Sequence, residues 1–139
     1  FQVCTGLTSV TIPNSLANIG LYAFRDCSAL TTVNFNADSC ITVGSSVWDN
    51  APVSTVNIGA NVKHIPSDAF YNCRGLTSVT IPNSVTSIGS NAFYDCRALT
   101  TVNFNADSCT SVGNYAWYNA PVRTVNIGAN VKEQLRRLS

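Results

Sequence analysis

The chain repeats itself every 23 residues. Copies begin at Leu7, Leu30, Val53, Leu76, Leu99 and Val122, with no spacer between any two. A fixed period of this length belongs to a solenoid: one copy is too short to bury its own apolar face, so stacked copies share a continuous core and each touches only its neighbours. The first copy, LTSVTIPNSLANIGLYAFRDCSA, shows the plan. Val10 and Ile12 alternate with Ser9 and Thr11 as in a strand. Pro13 and Asn14 end it, because proline cannot donate to a sheet ladder and asparagine suits a turn. Ile19-Gly20 marks a second bend, and Ala23 to Cys27 reads as a short helical or 3-10 turn that returns the chain to the next strand.

The second copy, LTTVNFNADSCITVGSSVWDNAP, carries one extra residue before Cys40 and one fewer after Ala51. Cys40 then falls where Leu16 and Val85 sit, Trp48 replaces the phenylalanine, and Ala51 replaces the cysteine; inward volume is redistributed, as a close-packed stack requires. The third copy, VSTVNIGANVKHIPSDAFYNCRG, has Gly59 and Pro66 at its bends. The three types recur in the same order, so residues 7–63 and 76–132 match at 43 of 57 positions, and the differences collect on the returning arcs. The solenoid is expected over 1–132, with 1–6 closing a preceding copy because Phe1 to Gly6 aligns with Phe70 to Gly75. Residues 133–139, Glu-Gln-Leu-Arg-Arg-Leu-Ser, break the pattern and read as a C-terminal tail or a charged helical cap. The chain reads as a piece of a longer array, so targeting signals would lie outside it.

Composition excludes several classes of function. Charged residues make up 11% and the net charge is +1, which leaves no electrostatic footprint for nucleic acid or an anionic membrane. No apolar run approaches the length of a transmembrane helix.

Six cysteines invite a disulfide or metal reading. Cys4, Cys27, Cys73 and Cys96 share one repeat position, and Cys40 and Cys109 share another; other copies fill both with Ala, Val or Leu, so the thiols are expected to act as small buried hydrophobes. The alternative is a bridge between neighbouring rungs, open only to Cys4–Cys27 and Cys73–Cys96. Zinc is not expected, since there is no C-x-x-C and a straight ladder cannot wrap an ion tetrahedrally. His64, the one histidine, has no serine or cysteine placed by the spacing to use it as a base. Asp38 and Asp107, in identical NADSC segments, lie too far apart for a carboxyl pair and suit turn stabilisation. The glycines are isolated, so no phosphate loop exists. The expectation is no enzyme, no cofactor and no metal.

Two surfaces stand out as candidate binding sites. The outward strand positions form six neutral rungs: Ser9/Thr11, Thr32/Asn34, Thr55/Asn57, Ser78/Thr80, Thr101/Asn103 and Thr124/Asn126. Such a lattice suits cross-strand hydrogen bonding, and its uniformity also fits a repetitive or weak multivalent partner. On the arcs, Phe24, Trp48, Phe70, Phe93 and Trp117 take one inward position. Tyr71, Tyr94 and Tyr118 follow it and are expected to point outward, with Arg25, Arg74 and Arg97 nearby. Tyrosine and arginine are favoured interface anchors, so Tyr71, Arg74, Tyr94, Arg97 and Tyr118 make an alternative arc-face site.

The pattern L-T-S-V-T-I-P-x-S-V-x-x-I-G-x-x-A-F-x-x-C resembles the BspA-type leucine-rich repeat, found in surface proteins of bacteria and some protozoan parasites. The resemblance covers residues 1–132. It implies a leucine-rich-repeat solenoid, a right-handed superhelix of about six turns with a parallel β-sheet on one face and short helical, 3-10 and irregular arcs on the other. It also implies an extracellular or cell-surface location and a non-enzymatic role in adhesion, binding a host or matrix protein or a glycan, with the concave sheet face as the surface other leucine-rich repeats use. The competing expectation is a structural spacer that assembles with itself through its open strand edges.

Overall fold

The computed structural model describes residues 3–40 and 42–129. Each repeat contributes one four-residue strand and, five times, a two-residue strand after the first bend. In chain order these are β1 (Ser9–Ile12), β2 (Asn18–Ile19), β3 (Thr32–Phe35), β4 (Thr42–Val43), β5 (Thr55–Ile58), β6 (His64–Ile65), β7 (Ser78–Ile81), β8 (Ser87–Ile88), β9 (Thr101–Phe104), β10 (Ser111–Val112) and β11 (Thr124–Ile127). All pairing is parallel. The long strands stack on one face in a 23-residue register, Ser9 against Thr32 and Thr32 against Thr55. On the second face Asn18 pairs with Thr42 and Ser87 with Ser111, a step of 24, which is the extra residue before Cys40 and Cys109 carried into the ladder. The fold is a parallel β-solenoid.

Between the two strand faces lies one apolar core. Leu30, Val33, Phe35, Val53, Leu76, Ile81, Phe93 and Leu99 are fully buried in it. Rings stack along the axis: Phe24 on Trp48 with centroids 5.2 Å apart, Phe70 on Phe93 at 5.4 Å, and Phe93 on Trp117 at 4.6 Å. Between the second and third repeats Phe35 meets Phe70 edge-on at 5.6 Å instead. There Trp48 turns its indole Nε1–H to the carbonyl of Ala69 at 2.8 Å, a buried bond from one rung to the next. Burial falls off at the last turn. Trp117 is only half-buried and Val125 is 54% exposed, because among the described residues no further rung covers β11. Cys4 and Cys109 are likewise half-buried, so the expectation of six fully inward thiols holds for Cys27, Cys40, Cys73 and Cys96 only.

The sheets are interrupted twice, both times at a proline. The long strands form β1-β3-β5 and β7-β9-β11; the short ones form β2-β4 and β6-β8-β10. The residue after a long strand donates its N–H to the end of the strand before: Asn36 to Ile12, Gly59 to Phe35, Asn105 to Ile81 and Gly128 to Phe104. After β7 that residue is Pro82, which has no N–H to give to Ile58. On the second face Gly44, Gly89 and Gly113 donate to Ile19, Ile65 and Ile88, and the third repeat puts Pro66 in that place. The two breaks flank the third repeat on opposite faces, so each is bridged by the other face. Arc bonds from Asp68, Phe70 and Asn72 to Ser90, Ala92 and Tyr94 add to the junction with the fourth repeat.

The arcs differ from the expected helical turns. Turn bonds such as Arg25 N–H to Tyr22 O and Cys27 N–H to Phe24 O alternate with bonds to the next rung, Tyr22 to Ser45, Phe24 to Val47 and Asp26 to Asp49. A helix would send every N–H back along its own chain; here alternate ones point at the neighbour. Two residues per arc, four apart, adopt left-handed φ: Tyr22 and Asp26, Ser46 and Asn50, Asp68 and Asn72, Asn91 and Asp95, Tyr115 and Asn119; in the first, third and fourth repeats the amides of such a pair are the ones that reach the next rung. Asn and Asp tolerate this conformation, whereas a bulky residue such as Tyr22 or Tyr115 is disfavoured there by about 1–2 kcal/mol. The expected cap or tail at 133–139 lies outside the described residues.

The glycines of the second bend are needed for rung spacing. A Cβ on Gly89 would lie 2.3 Å from the backbone nitrogen of Ser67, and one on Gly113 equally close to that of Ser90. Backbone cannot yield as a side-chain tip does, so Gly89→Ala is expected to destabilise by several kcal/mol in urea unfolding, forcing β6 and β8 apart. Trp48→Phe keeps the stacked ring but leaves the Ala69 carbonyl without its donor, and is expected to cost about 1–3 kcal/mol in the same assay.

Candidate interaction surfaces

The strand face carries its expected lattice in register. Ser9/Thr11, Thr32/Asn34, Thr55/Asn57, Ser78/Thr80, Thr101/Asn103 and Thr124/Asn126 all lie on the outward side of the long strands, exposed or half-exposed. The amides bond along the stack. Asn34 Nδ2 donates to Thr11 Oγ1 at 3.4 Å and Asn57 Nδ2 to Asn34 Oδ1 at 2.9 Å; Asn103 to Thr80 and Asn126 to Asn103 repeat this at 3.2 and 2.8 Å. Each such cross-strand pair contributes roughly 0.2–1 kcal/mol. One N–H of each of these amides is thus engaged by the neighbouring rung, and the face offers a ligand the second amide N–H groups together with a row of hydroxyls.

The arcs present the other surface in two adjacent rows. One row holds the first left-handed residue of each arc: Tyr22, Ser46, Asp68, Asn91 and Tyr115. The other, three residues on, holds Arg25, Asp49, Tyr71, Tyr94 and Tyr118. The structure brings Tyr71, Tyr94 and Tyr118 into one stack, with centroids 4.9 Å apart at 1° between Tyr71 and Tyr94, and 5.0 Å apart at 22° between Tyr94 and Tyr118. Tyr115, 65% exposed, stands at 88° to Tyr118. With Asn91 these four tyrosines line an open cavity of about 440 Å³. A second cavity of about 350 Å³ adjoins it, sharing Tyr71 and Asn91 and adding Ser45, Ser46 and Asp68.

Arg74 and Arg97 bond polar side chains of their own arcs rather than the tyrosines. Arg74 Nε donates to Asn72 Oδ1 at 2.7 Å and Arg97 Nε to Asp95 Oδ1 at 3.3 Å, tying each to the second left-handed residue of its own arc. Arg25 instead lies over the Tyr22 ring, 4.9 Å from its centroid. Asparagines link these residues between rungs, Asn50 to Asp26 at 2.7 Å and Asn119 to Asp95 at 3.0 Å. The Asn119 amide, then Arg97, hold the Asp95 carboxyl below its usual range. Desolvation, reinforced by the neighbouring phenols and Asp95, raises the Tyr94 phenol, so it remains a hydroxyl donor at neutral pH.

Tyr115 and Asn91 were not singled out by the sequence. The signal lay in the comparison of halves: 69 residues earlier, Asn91, Tyr94, Tyr115 and Tyr118 read Tyr22, Arg25, Ser46 and Asp49. The core repeats while this stripe changes from charged to aromatic.

The remaining candidates resolve into the ladder. His64 is exposed and its Nδ1 lies 2.6 Å from Ser87 Oγ, a contact the spacing did not foresee. The two face each other in β6–β8 register, as do Asn18 and Thr42, which are also hydrogen-bonded, in β2–β4; the same polar cap recurs on different rungs. Ser39 and Ser108 donate to Asp38 and Asp107 at 3.1 and 3.4 Å, side chain to side chain between sequence neighbours. Among the described residues, no group of three or more His, Cys, Asp or Glu side chains is placed to hold a metal ion.

All six cysteines are free thiols. Cys96 Sγ donates to the Phe70 carbonyl one rung below at 3.2 Å. Burial pushes its pKa from 9.0 up to about 12, and burial followed by the proximity of Cys96 raises Cys73 well above its ordinary value. The unfolded chain therefore releases these protons first. The thiols' contribution to stability is complete below pH 9 and is lost as pH rises from about 9 to about 12, by on the order of 4 kcal/mol for Cys96. Urea unfolding between pH 7 and 11 is expected to show this alkaline loss, reduced in Cys96→Ala, whose side chain the second and fifth repeats already carry at this position as Ala51 and Ala120.

The repeat and its geometry match known proteins. Residues 1–123 fit the model of the BspA type leucine rich repeat region in six copies. No curated protein matches the chain in sequence. Among solved structures, a leucine rich cell surface protein from Faecalibacterium prausnitzii superposes with a TM-score of 0.70 at 25% identity, over 95% of this chain and 35% of that one. A leucine-rich repeat protein from Bacteroides ovatus gives 0.65 at 21%, over 92% and 39%. The pneumococcal vaccine antigen PcpA gives 0.58 at 16%, over 86% and 30%, a likeness of fold alone. The chain spans about a third of the length of these structures. No helix among the described residues is long and apolar enough to cross a membrane. With six copies matched across most of its length, the chain belongs to the BspA-type leucine-rich-repeat family.

Proposed function

We propose that the chain is a non-enzymatic attachment module at an extracellular surface, holding a protein or glycan partner against its arc face. Membership of a repeat family built for interaction supports the class of function, and the F. prausnitzii neighbour is described as a cell surface protein. The observation that carries the reading is the arc-face tyrosine cluster, exposed at Tyr115 and Tyr118 and half-buried at Tyr71 and Tyr94. Four aromatic side chains gather on the solvent side of a solenoid whose core does not need them, and tyrosine supplies large, rigid contact area at low entropic cost. The strand face is the weaker candidate, because its outward residues include no aromatic anchor and each asparagine already donates to the neighbouring rung.

Retention on a panel of immobilised matrix proteins and glycans tests this. The expected outcome is retention that falls at least about tenfold in Tyr94→Ala/Tyr118→Ala, the loss of roughly one interface anchor, and changes little in Thr32→Ala/Thr55→Ala on the strand face. Loss confined to the strand-face variant would move the site to that face. No retention at all, with mass growing with concentration in sedimentation, would favour the self-assembling spacer.

A further inference from the structure

The two arc cavities form one trough, since both are lined by Tyr71 and Asn91. It crosses the second to the fifth repeats. From that trough we infer that the arc face binds a linear, neutral, equatorially linked glycan, one sugar ring per rung; this rests on the arc face being the contact surface.

The lining selects the ligand class. It consists of phenol and serine hydroxyls, one amide and the single carboxylate of Asp68, without a cation, so it has nothing to neutralise an anion. The nearby guanidinium of Arg97 is engaged by Asp95, and that of Arg74 by Asn72. A quaternary ammonium ligand is best held in a cage of several ring faces, and Tyr71, Tyr94 and Tyr118 turn their facing sides to one another by stacking. They offer the trough their edges and hydroxyls instead. Tyr115, 65% exposed and set at right angles to Tyr118, is free to present a face.

A pyranose has complementary parts: a flat face of C–H groups and a rim of hydroxyls that both donate and accept. The face suits Tyr115 and the rim suits the phenols and Asn91. The stack advances 4.9 to 5.0 Å per rung, close to the advance of one sugar in an extended, equatorially linked chain, so successive sugars keep step with successive rungs. A peptide is favoured less, because an anchor in a protein interface sits in an apolar, water-excluding surround, whereas the open trough here joins phenol hydroxyls and Asn91 to Ser45, Ser46 and Asp68. Tyr115 holds a left-handed φ of 60° that suits asparagine better, while burying little of its ring. Such a residue, kept where the backbone disfavours it, points to a role at the surface.

The test is calorimetric titration of the chain with β-1,4-linked hexasaccharides of glucose, mannose and N-acetylglucosamine. Saturable binding of at least one is expected, weakened at least about tenfold by Tyr115→Asn, with a thermal midpoint unchanged or raised because asparagine relieves the backbone. Absence of saturation with all three up to millimolar concentration overturns the inference. A second arm repeats the matrix panel before and after enzymatic removal of glycans. Retention lost on deglycosylation supports the glycan. Retention that survives deglycosylation but is lost in Tyr115→Asn overturns the glycan and keeps the arc face as a protein site. Retention indifferent to both treatments overturns both readings.

Discussion

Everything in this molecule depends on the backbone hydrogen bond from one rung to the next. A 23-residue rung has no core of its own: its leucine, valine and phenylalanine become buried only when another rung lies against them. Parallel pairing on two faces, and alternate N–H groups on the arc, bring the rungs close enough for rings to stack at about 5 Å. That separation in turn demands glycine wherever a Cβ would strike the neighbouring backbone, and it demands the left-handed residues that aim the arc amides sideways. The apolar ladder drives the stack; the hydrogen bonds set its spacing.

Proline shows how local chemistry edits this rule. Pro82 and Pro66 stand at positions whose equivalents donate between rungs, and each coincides with an interruption of its sheet. The interruptions fall on opposite faces of the third repeat, so no junction loses both ladders. The buried Trp48 indole bond and the ties from Asp68, Phe70 and Asn72 strengthen the two affected junctions. A three-repeat super-period is therefore a physical unit as well as a sequence pattern, because its members solve the junction problem differently.

The surface follows a different logic. The strand face is nearly invariant between the two halves, and each of its asparagines donates to the threonine or asparagine of the rung before. The arc rows vary: Arg25 and Asp49 in the first half become Tyr94 and Tyr118 in the second, without disturbing the backbone that presents them. A solenoid separates these tasks because inward positions answer to packing and outward arc positions answer only to solvent or to a partner. Recognition is thus expected where the repeats differ, and the tyrosine trough lies there.

The sequence by itself determined the solenoid, the position of each long strand, the inward aromatic and aliphatic ladder, and the shift by one residue before Cys40, because a period and its alternation specify which side chains face inward; the short strands of the second face, read as bends, came only from the structure. It also placed Tyr71, Tyr94 and Tyr118 outward together. Only the tertiary structure decided the rest. The arcs are chains of left-handed turns because their amides seek the neighbouring rung, which no local propensity reveals. Tyr115 and Asn91 join the trough because two rows three residues apart become adjacent on the arc. His64 meets Ser87, and Arg74 and Arg97 turn to the Asn72 and Asp95 side chains, because those partners are fixed by distances of a few ångströms. A repeat specifies which residues share a row; packing specifies which of them touch.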